Sequence, residues 1–115
     1  MEKTFHEKLK DKIDVFVHNV YDASIYFPKD EMFGATSQLR RAVLSIALNY
    51  TEGYARQRKL VLKNFLEISY GSLKETMYLI EFSQKRKYLD KDLEKQLLKQ
   101  GDEISAMIWS ILKKL

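Results

Sequence analysis

The sequence contains no cysteine, so it can form no disulfide framework, no thiolate nucleophile and no thiolate metal site. One proline, Pro28, and four glycines leave nothing from which to build a linker or a low-complexity tail. No stretch approaches the roughly 20 apolar residues of a membrane span. The opening residues, MEKTFHEKLKDKID, lack the apolar centre of a signal peptide. These absences lead to the expectation of a cytoplasmic chain. Histidine is scarce as well: His6 and His18 stand too far apart on one helical segment to share a metal. There is no Glu-x-x-His pair, which excludes the di-iron site of helical bundles. There is no HExxH and no P-loop, and Ser-His-Asp chemistry has no motif to support it. No arginine precedes a histidine at the short spacing found in helical-bundle ribonucleases. The expectation is therefore a protein that is not an enzyme and carries no cofactor and no metal.

What is present is enough for a core. Of the 115 residues, 45% are hydrophobic and 31% charged, which suits one water-soluble domain spanning residues 1–115. The net charge of +4 permits a polyanionic partner without requiring one.

The hydrophobic pattern has helical period throughout, and no segment alternates with period two over a useful length. Four helices are predicted, at about 5–26, 36–54, 60–86 and 91–114. Leu9, Ile13, Phe16, Val17, Val20, Ser24 and Phe27 line one face of the first, which Pro28 must stop. Leu62, Phe65, Leu66, Ser69, Leu73, Thr76, Met77 and Ile80 form the main stripe of the third, with a second patch at Val61, Ile68, Leu79 and Phe82. Asp90 is placed to cap the fourth, whose single stripe is Leu93, Leu97, Ile104, Met107, Ile108, Ile111 and Leu115. Short connectors between four amphipathic helices imply an all-α, antiparallel up-down-up-down bundle.

The second helix is unusual. At roughly 100° per residue, Gln38, Arg41, Ser45, Asn49, Glu52 and Arg56 fall in one narrow stripe, and almost everything around it is apolar. A surface helix shows the opposite balance. The second and third helices therefore carry surplus apolar surface, which points to self-association. The stripe itself is expected to be buried or half-buried. It reads either as a binding or catalytic groove built on Arg41, Asn49, Glu52 and Arg56 or, preferably, as a structural network in which Glu52 pairs with an arginine while Asn49 and Ser45 satisfy backbone or cross-helix groups.

The segments FPKDEMFG, TSQLRRA, EGYAR, GSLKE and YLD occur in an order and spacing that resembles the four-helix-bundle family of 23S rRNA intervening-sequence proteins, small bacterial proteins first noticed as reading frames inside insertions in large-subunit ribosomal RNA genes. The resemblance runs from about Tyr21 to the C-terminus. Its motif positions are Phe27, Pro28, Phe33, Gly34, Gln38, Arg40, Arg41, Ala42, Ser45, Ile46, Asn49, Glu52, Gly53 and Arg56, followed by Gly71, Ser72, Leu73 and Glu75. It implies an antiparallel bundle assembling as a ring, a homopentamer, with no established enzymatic activity. A distant relation to the accessory variability determinant of diversity-generating retroelements, a basic pentameric barrel that binds nucleic acid and a reverse transcriptase, makes nucleic acid the favoured partner by analogy. Several positions depart from the family pattern. Ala47-Leu48 stands where Pro-Ser is common, Tyr50-Thr51 where Ile-Ala is common, and Ala55 where Gly is common. Arg58 replaces a frequent Ser and removes a good N-cap for the third helix, and Lys10 stands near the place of the family's usual Trp in the first helix.

Charge placement selects one end. Arg56, Arg58, Lys59 and Lys63 have no acid among them, and an up-down bundle puts them beside both termini, where Lys113 and Lys114 lie. The opposite end mixes Lys29, Lys85, Arg86, Lys87 and Lys91 with Asp30, Glu31, Asp90, Asp92 and Glu94. The candidate nucleic-acid-binding residues are thus Arg56, Arg58, Lys59, Lys63, Lys113 and Lys114, and contact would be driven by charge and shape. Tyr50, Tyr54, Tyr70, Tyr78 and Tyr88 can stack on bases but fit better as core or interface aromatics. Gly53 and Gly71 are expected to permit close approach of backbones. Both histidines are expected to be solvated.

Overall fold

The computed structural model describes residues 2–115. Helix α1 spans Phe5–Ser24, a 3₁₀ turn follows at Lys29–Glu31, and then come α2 at Ala35–Ala55, α3 at Lys59–Lys85 and α4 at Lys91–Leu112. Among the described residues there is no strand. The boundaries follow local chemistry. Thr4 and Glu7 form a capping box at the start of α1: the Thr4 hydroxyl accepts from the Glu7 N–H at 3.1 Å, and the Glu7 carboxylate accepts from the Thr4 N–H at 3.2 Å. The helix ends at Ser24, two residues short of the predicted Tyr26. The approach to Pro28 tightens the chain into i→i+3 bonds, from Ile25 N–H to Asp22 O and from Phe27 N–H to Ser24 O. Asp90 caps α4 as expected, its carboxylate accepting from the Leu93 N–H at 2.8 Å. Arg58 stands at the N-cap of α3 with no side-chain cap bond.

Helix α2 starts without a capping side chain of its own, because Gly34 occupies the N-cap. Glu31 supplies one from the preceding turn. Its Oε1 accepts from the Ala35 N–H at 3.3 Å and its Oε2 from the Tyr88 hydroxyl at 2.7 Å. A Cβ at residue 34 would lie 2.5 Å from Glu31 Oε1, so the glycine makes room for this cap. The Tyr88 hydrogen bond and the Ala35 N–H hold the Glu31 carboxyl below its ordinary range. Helix α3 ends in a Schellman motif: Tyr88 N–H reaches Ser83 O and Lys87 N–H reaches Gln84 O. Lys87 holds the left-handed position, φ 66°, that glycine usually takes.

Each helix packs on two neighbours in the cyclic order α1, α2, α3, α4, and α2 with α3 is the closest pair. The start of α1 meets the end of α2, and the end of α1 meets the start of α2. His6 meets Tyr50 and Tyr54, whereas Ser24 meets Arg40. Lys12 pairs with Glu103 and Asn19 with Gln100. The core is one cluster drawn from all four helices, centred on Leu9, Phe16, Ile46, Tyr50, Leu66, Leu73, Ile104 and Ile108. The α2–α3 seam is made of small residues. The buried Ser69 hydroxyl donates to Ile46 O at 2.8 Å, Ser45 and Ser72 share a hydrogen bond of 2.8 Å, and Ala42 and Thr76 are buried. A Cβ at Gly53 would meet Phe65 Cβ at 2.9 Å. Gly71 is different: nothing lies within 4 Å of a Cβ there, so the expected close approach is absent within this chain. Gly101, which the sequence pattern did not single out, does abut a neighbour, with Met77 Cγ 3.0 Å from its would-be Cβ.

Candidate functional site

The polar stripe of α2 divides into three parts. Gln38 and Arg41 are exposed at its start, and the Gln38 amide donates to Glu75 of α3 at 2.6 Å. Ser45 and Asn49 are half-buried in the middle. The Asn49 amide donates to Ser45 O and Ser45 Oγ at 2.8 and 2.9 Å, which places both residues in the seam network with Ser72. Glu52 and Arg56 are exposed at its end and pair with each other at 3.0 Å. Within the single chain, helix packing half-buries only the middle members of the stripe and leaves the outer ones exposed. An exposed i,i+4 pair such as Glu52–Arg56 is worth only a few tenths of a kcal/mol, about 0.3–0.5, and serves as local support. Single-chain packing also leaves Leu48, 60% exposed, and part of Leu44 uncovered on α2, as it does Ile68 and Tyr78 on α3.

The basic residues gather where α2 passes into α3 and where α4 ends. Arg56 sits at the C-cap of α2, its guanidinium 5.5 Å from the Phe65 ring centre. Arg58 and Lys59 open α3 and are exposed. Lys63, one turn on, shares a groove with Lys113 at the end of α4. Lys114 is exposed beside Lys113. Among the described residues, Arg58, Lys59, Lys63, Lys113 and Lys114 form no salt bridge, whereas Arg56 is engaged with Glu52. The helix pairings bring His6, at the start of α1, to this same end of α2. Lys3 contributes less there than its charge suggests, since it pairs with Asp11.

His6 corrects the expectation that both histidines are solvated. It is half-buried, its ring 4.0 Å from that of Tyr54 and 5.3 Å from that of Tyr50, and its Nδ1 shares a hydrogen bond with the Tyr50 hydroxyl. Tyr50 is a core residue, and burial pushes its hydroxyl above the ordinary phenol range. The helical period continues the apolar stripe of α1 through His6, one turn before Leu9 and two before Ile13, so its half-burial follows from a face on which a polar ring stands in an apolar position. His18 is exposed beside Asp14 at 3.6 Å, as expected. The tyrosines split between roles: Tyr50 is core, Tyr88 caps through Glu31, and Tyr78 is exposed. Trp109, the sole tryptophan, was missed because it lies off the α4 stripe. It is 54% exposed and stands 6.0 Å from the Tyr70 ring.

Among the described residues, no three histidine or acidic side chains converge as a metal site would need. No helix is long and apolar enough to cross a membrane. The geometry defines a small four-helix bundle with a polar seam, surplus apolar surface on two helices and one basic end. A model of the 23S rRNA-intervening sequence protein family matches residues 8–110, and the chain belongs to that family. A crystal structure of a protein of unknown function from the S23 ribosomal protein family of Bacteroides thetaiotaomicron superimposes with a TM-score of 0.88 at 22% identity, covering 96% of this chain and 99% of that one. Such a likeness establishes the fold. Comparison with curated protein sequences returns no match.

Proposed function

We propose that this chain is a non-enzymatic, cytoplasmic bundle of antiparallel up-down-up-down topology that assembles as a homo-oligomeric ring, a pentamer, and binds RNA or DNA, or an enzyme that acts on them, through its basic end. One observation carries the binding half: Lys63 of α3 and Lys113 of α4 line one groove, beside Arg58 and Lys59. A ring would repeat that cluster around one rim and raise its potential toward phosphate. The assembly half is supported by Leu44, Leu48, Ile68 and Tyr78, apolar side chains exposed on the closest-packed helix pair. The stripe of α2 is assigned to structure, because its half-buried members satisfy one another and its outer acid is neutralised by Arg56.

Native mass in solution, with and without random RNA and DNA pools at low and high salt, tests both halves. The expected result is a ring that takes up nucleic acid at low salt and releases it at high salt. Four contacted phosphates give roughly a thousandfold loss in affinity for a tenfold rise in salt. Charge reversal at Arg58, Lys59 and Lys113 abolishes the uptake. A monomer refutes the assembly, and a ring indifferent to nucleic acid refutes the binding. The second reading is a protein-binding scaffold with no nucleic-acid role. It is favoured by the opposite end, where Tyr26 and Phe33, 84% and 94% exposed, flank the Pro28 connector.

A further inference from the structure

We propose that the groove between α3 and α4 is a subsite for an unstacked nucleobase of a single-stranded RNA or DNA, held against Trp109 and Tyr70 while its flanking phosphates meet Lys63 and Lys113. The proposal rests on the nucleic-acid reading above and names where and how the strand is held. The groove encloses about 370 Å³, within the roughly 300–1,000 Å³ of small-ligand pockets. Its floor is aromatic: the Tyr70 and Trp109 rings stand 6.0 Å apart at 41°, with half of Trp109 open to solvent. Both rings belong to rigid helices, so the surface exists before any ligand arrives. Gly71 also lines the groove, and nothing lies within 4 Å of where its Cβ would be, so the space beside the rings is open.

The charges around the rings choose the occupant. Lys63 and Lys113 line the groove, and Lys74 holds its ammonium 5.2 Å from the Tyr70 ring centre. One acid, Glu67, is present. A flat apolar ligand bearing negative charge on either side matches this set, and a nucleobase between two phosphates is such a ligand. Every base has a π-face, so stacking tolerates any sequence. Glu67 can accept from an exocyclic amine and adds no requirement for a particular base. Duplexes are excluded because their bases are already stacked and out of reach.

Trp109 emission reports occupancy directly, as it is the sole tryptophan. The full-length protein is titrated at low salt with 12-mers of oligo(dT) and oligo(rU), with a duplex of the same length, and with heparin, a polyanion without bases. Both single strands are expected to quench Trp109 and saturate, while duplex and heparin bind without quenching. In anisotropy with labelled single strands, Trp109→Ala is expected to weaken binding by roughly five- to 150-fold, the range for loss of one stacked base. Trp109→Phe retains most of the affinity, and duplex binding is unchanged. Gly71→Leu, which fills the open space without removing a lysine or a ring, is expected to reproduce the loss while keeping full helical circular dichroism. That variant carries the test if Trp109→Ala does not fold. Unaltered single-strand affinity in Trp109→Ala and Gly71→Leu, alongside loss in the Arg58→Glu, Lys59→Glu variant, overturns the base subsite and leaves the basic-end reading standing. No binding of any nucleic acid overturns both. Trp109 inaccessible to acrylamide in the free protein means that a second copy covers the groove, which overturns the subsite alone.

Discussion

Replacing the three helical glycines one at a time by alanine should give three different outcomes, because each meets a different neighbour. An alanine gains about 1 kcal/mol over glycine in a helix interior. At Gly71 nothing lies within 4 Å of the new methyl, so Gly71→Ala should stabilise the chain by most of that amount. At Gly101 the methyl meets Met77 Cγ and Sδ at 3.0 Å. The flexible thioether can move aside, so gain and cost should nearly cancel. At Gly53 the methyl falls 2.9 Å from Phe65 Cβ and 3.2 Å from Leu62 Cδ1. A Cβ is tied to its backbone, so relief requires moving α2 from α3 along their closest seam. Overpacking of this kind costs about 1–3 kcal/mol. Subtracting the helix-forming gain leaves Gly53→Ala destabilised by about 1 kcal/mol, with about 2 as the upper end. Urea unfolding followed by circular dichroism measures all three at constant protein concentration, since oligomer stability depends on it. Gly53→Ala as stable as the parent would refute the seam argument. Gly71→Ala less stable than the parent, with a simultaneous drop in oligomer mass, would show that a second copy fills the space beside it.

Lys87 occupies a left-handed position that costs a residue with a Cβ about 1–2 kcal/mol, so Lys87→Gly should raise stability by up to about 1 kcal/mol after the glycine's own entropy is counted, read as a higher urea midpoint. Asp90→Ala removes the cap on the Leu93 N–H and should cost about 1 kcal/mol in the same assay, and Asp90→Ser should restore most of it. Glu31 is held below its ordinary range by the Tyr88 hydroxyl and the Ala35 N–H, so its contribution is complete above about pH 4.3, its unfolded value, and is lost as pH falls through the lower folded value. Thermal melts between pH 6 and 2.5 should therefore fall more steeply for the parent than for Glu31→Gln, and equal slopes would remove Glu31 from the account.

The helices were legible from the chain because burial on one face imposes a period of 3.6 whatever the partner is. The stripe of α1 is the buried face seen in the fold. Of the α4 stripe, Leu97, Ile104 and Ile108 are buried, and the buried face turns toward Gly101, Ser105 and Leu112. The Asp90 cap is a local bond within four consecutive residues. Lys63 and Lys113, named together from the sequence, do line one groove. Other features depend on how far one helix slides and turns against the next, and no local pattern reports that. The register of α2 on α3 decides that Gly53 touches Phe65 while Gly71 touches nothing. The period of α1 puts His6 on the buried face, but which groups meet it, the Tyr50 hydroxyl and the Tyr54 ring, is decided by the approach of α1 to α2. The cap of α2 comes from Glu31 and is tied to Tyr88, a residue distant in sequence. Trp109 gains meaning only from Tyr70 across the α3–α4 contact, because a side chain off the buried stripe takes its neighbours from tertiary packing alone.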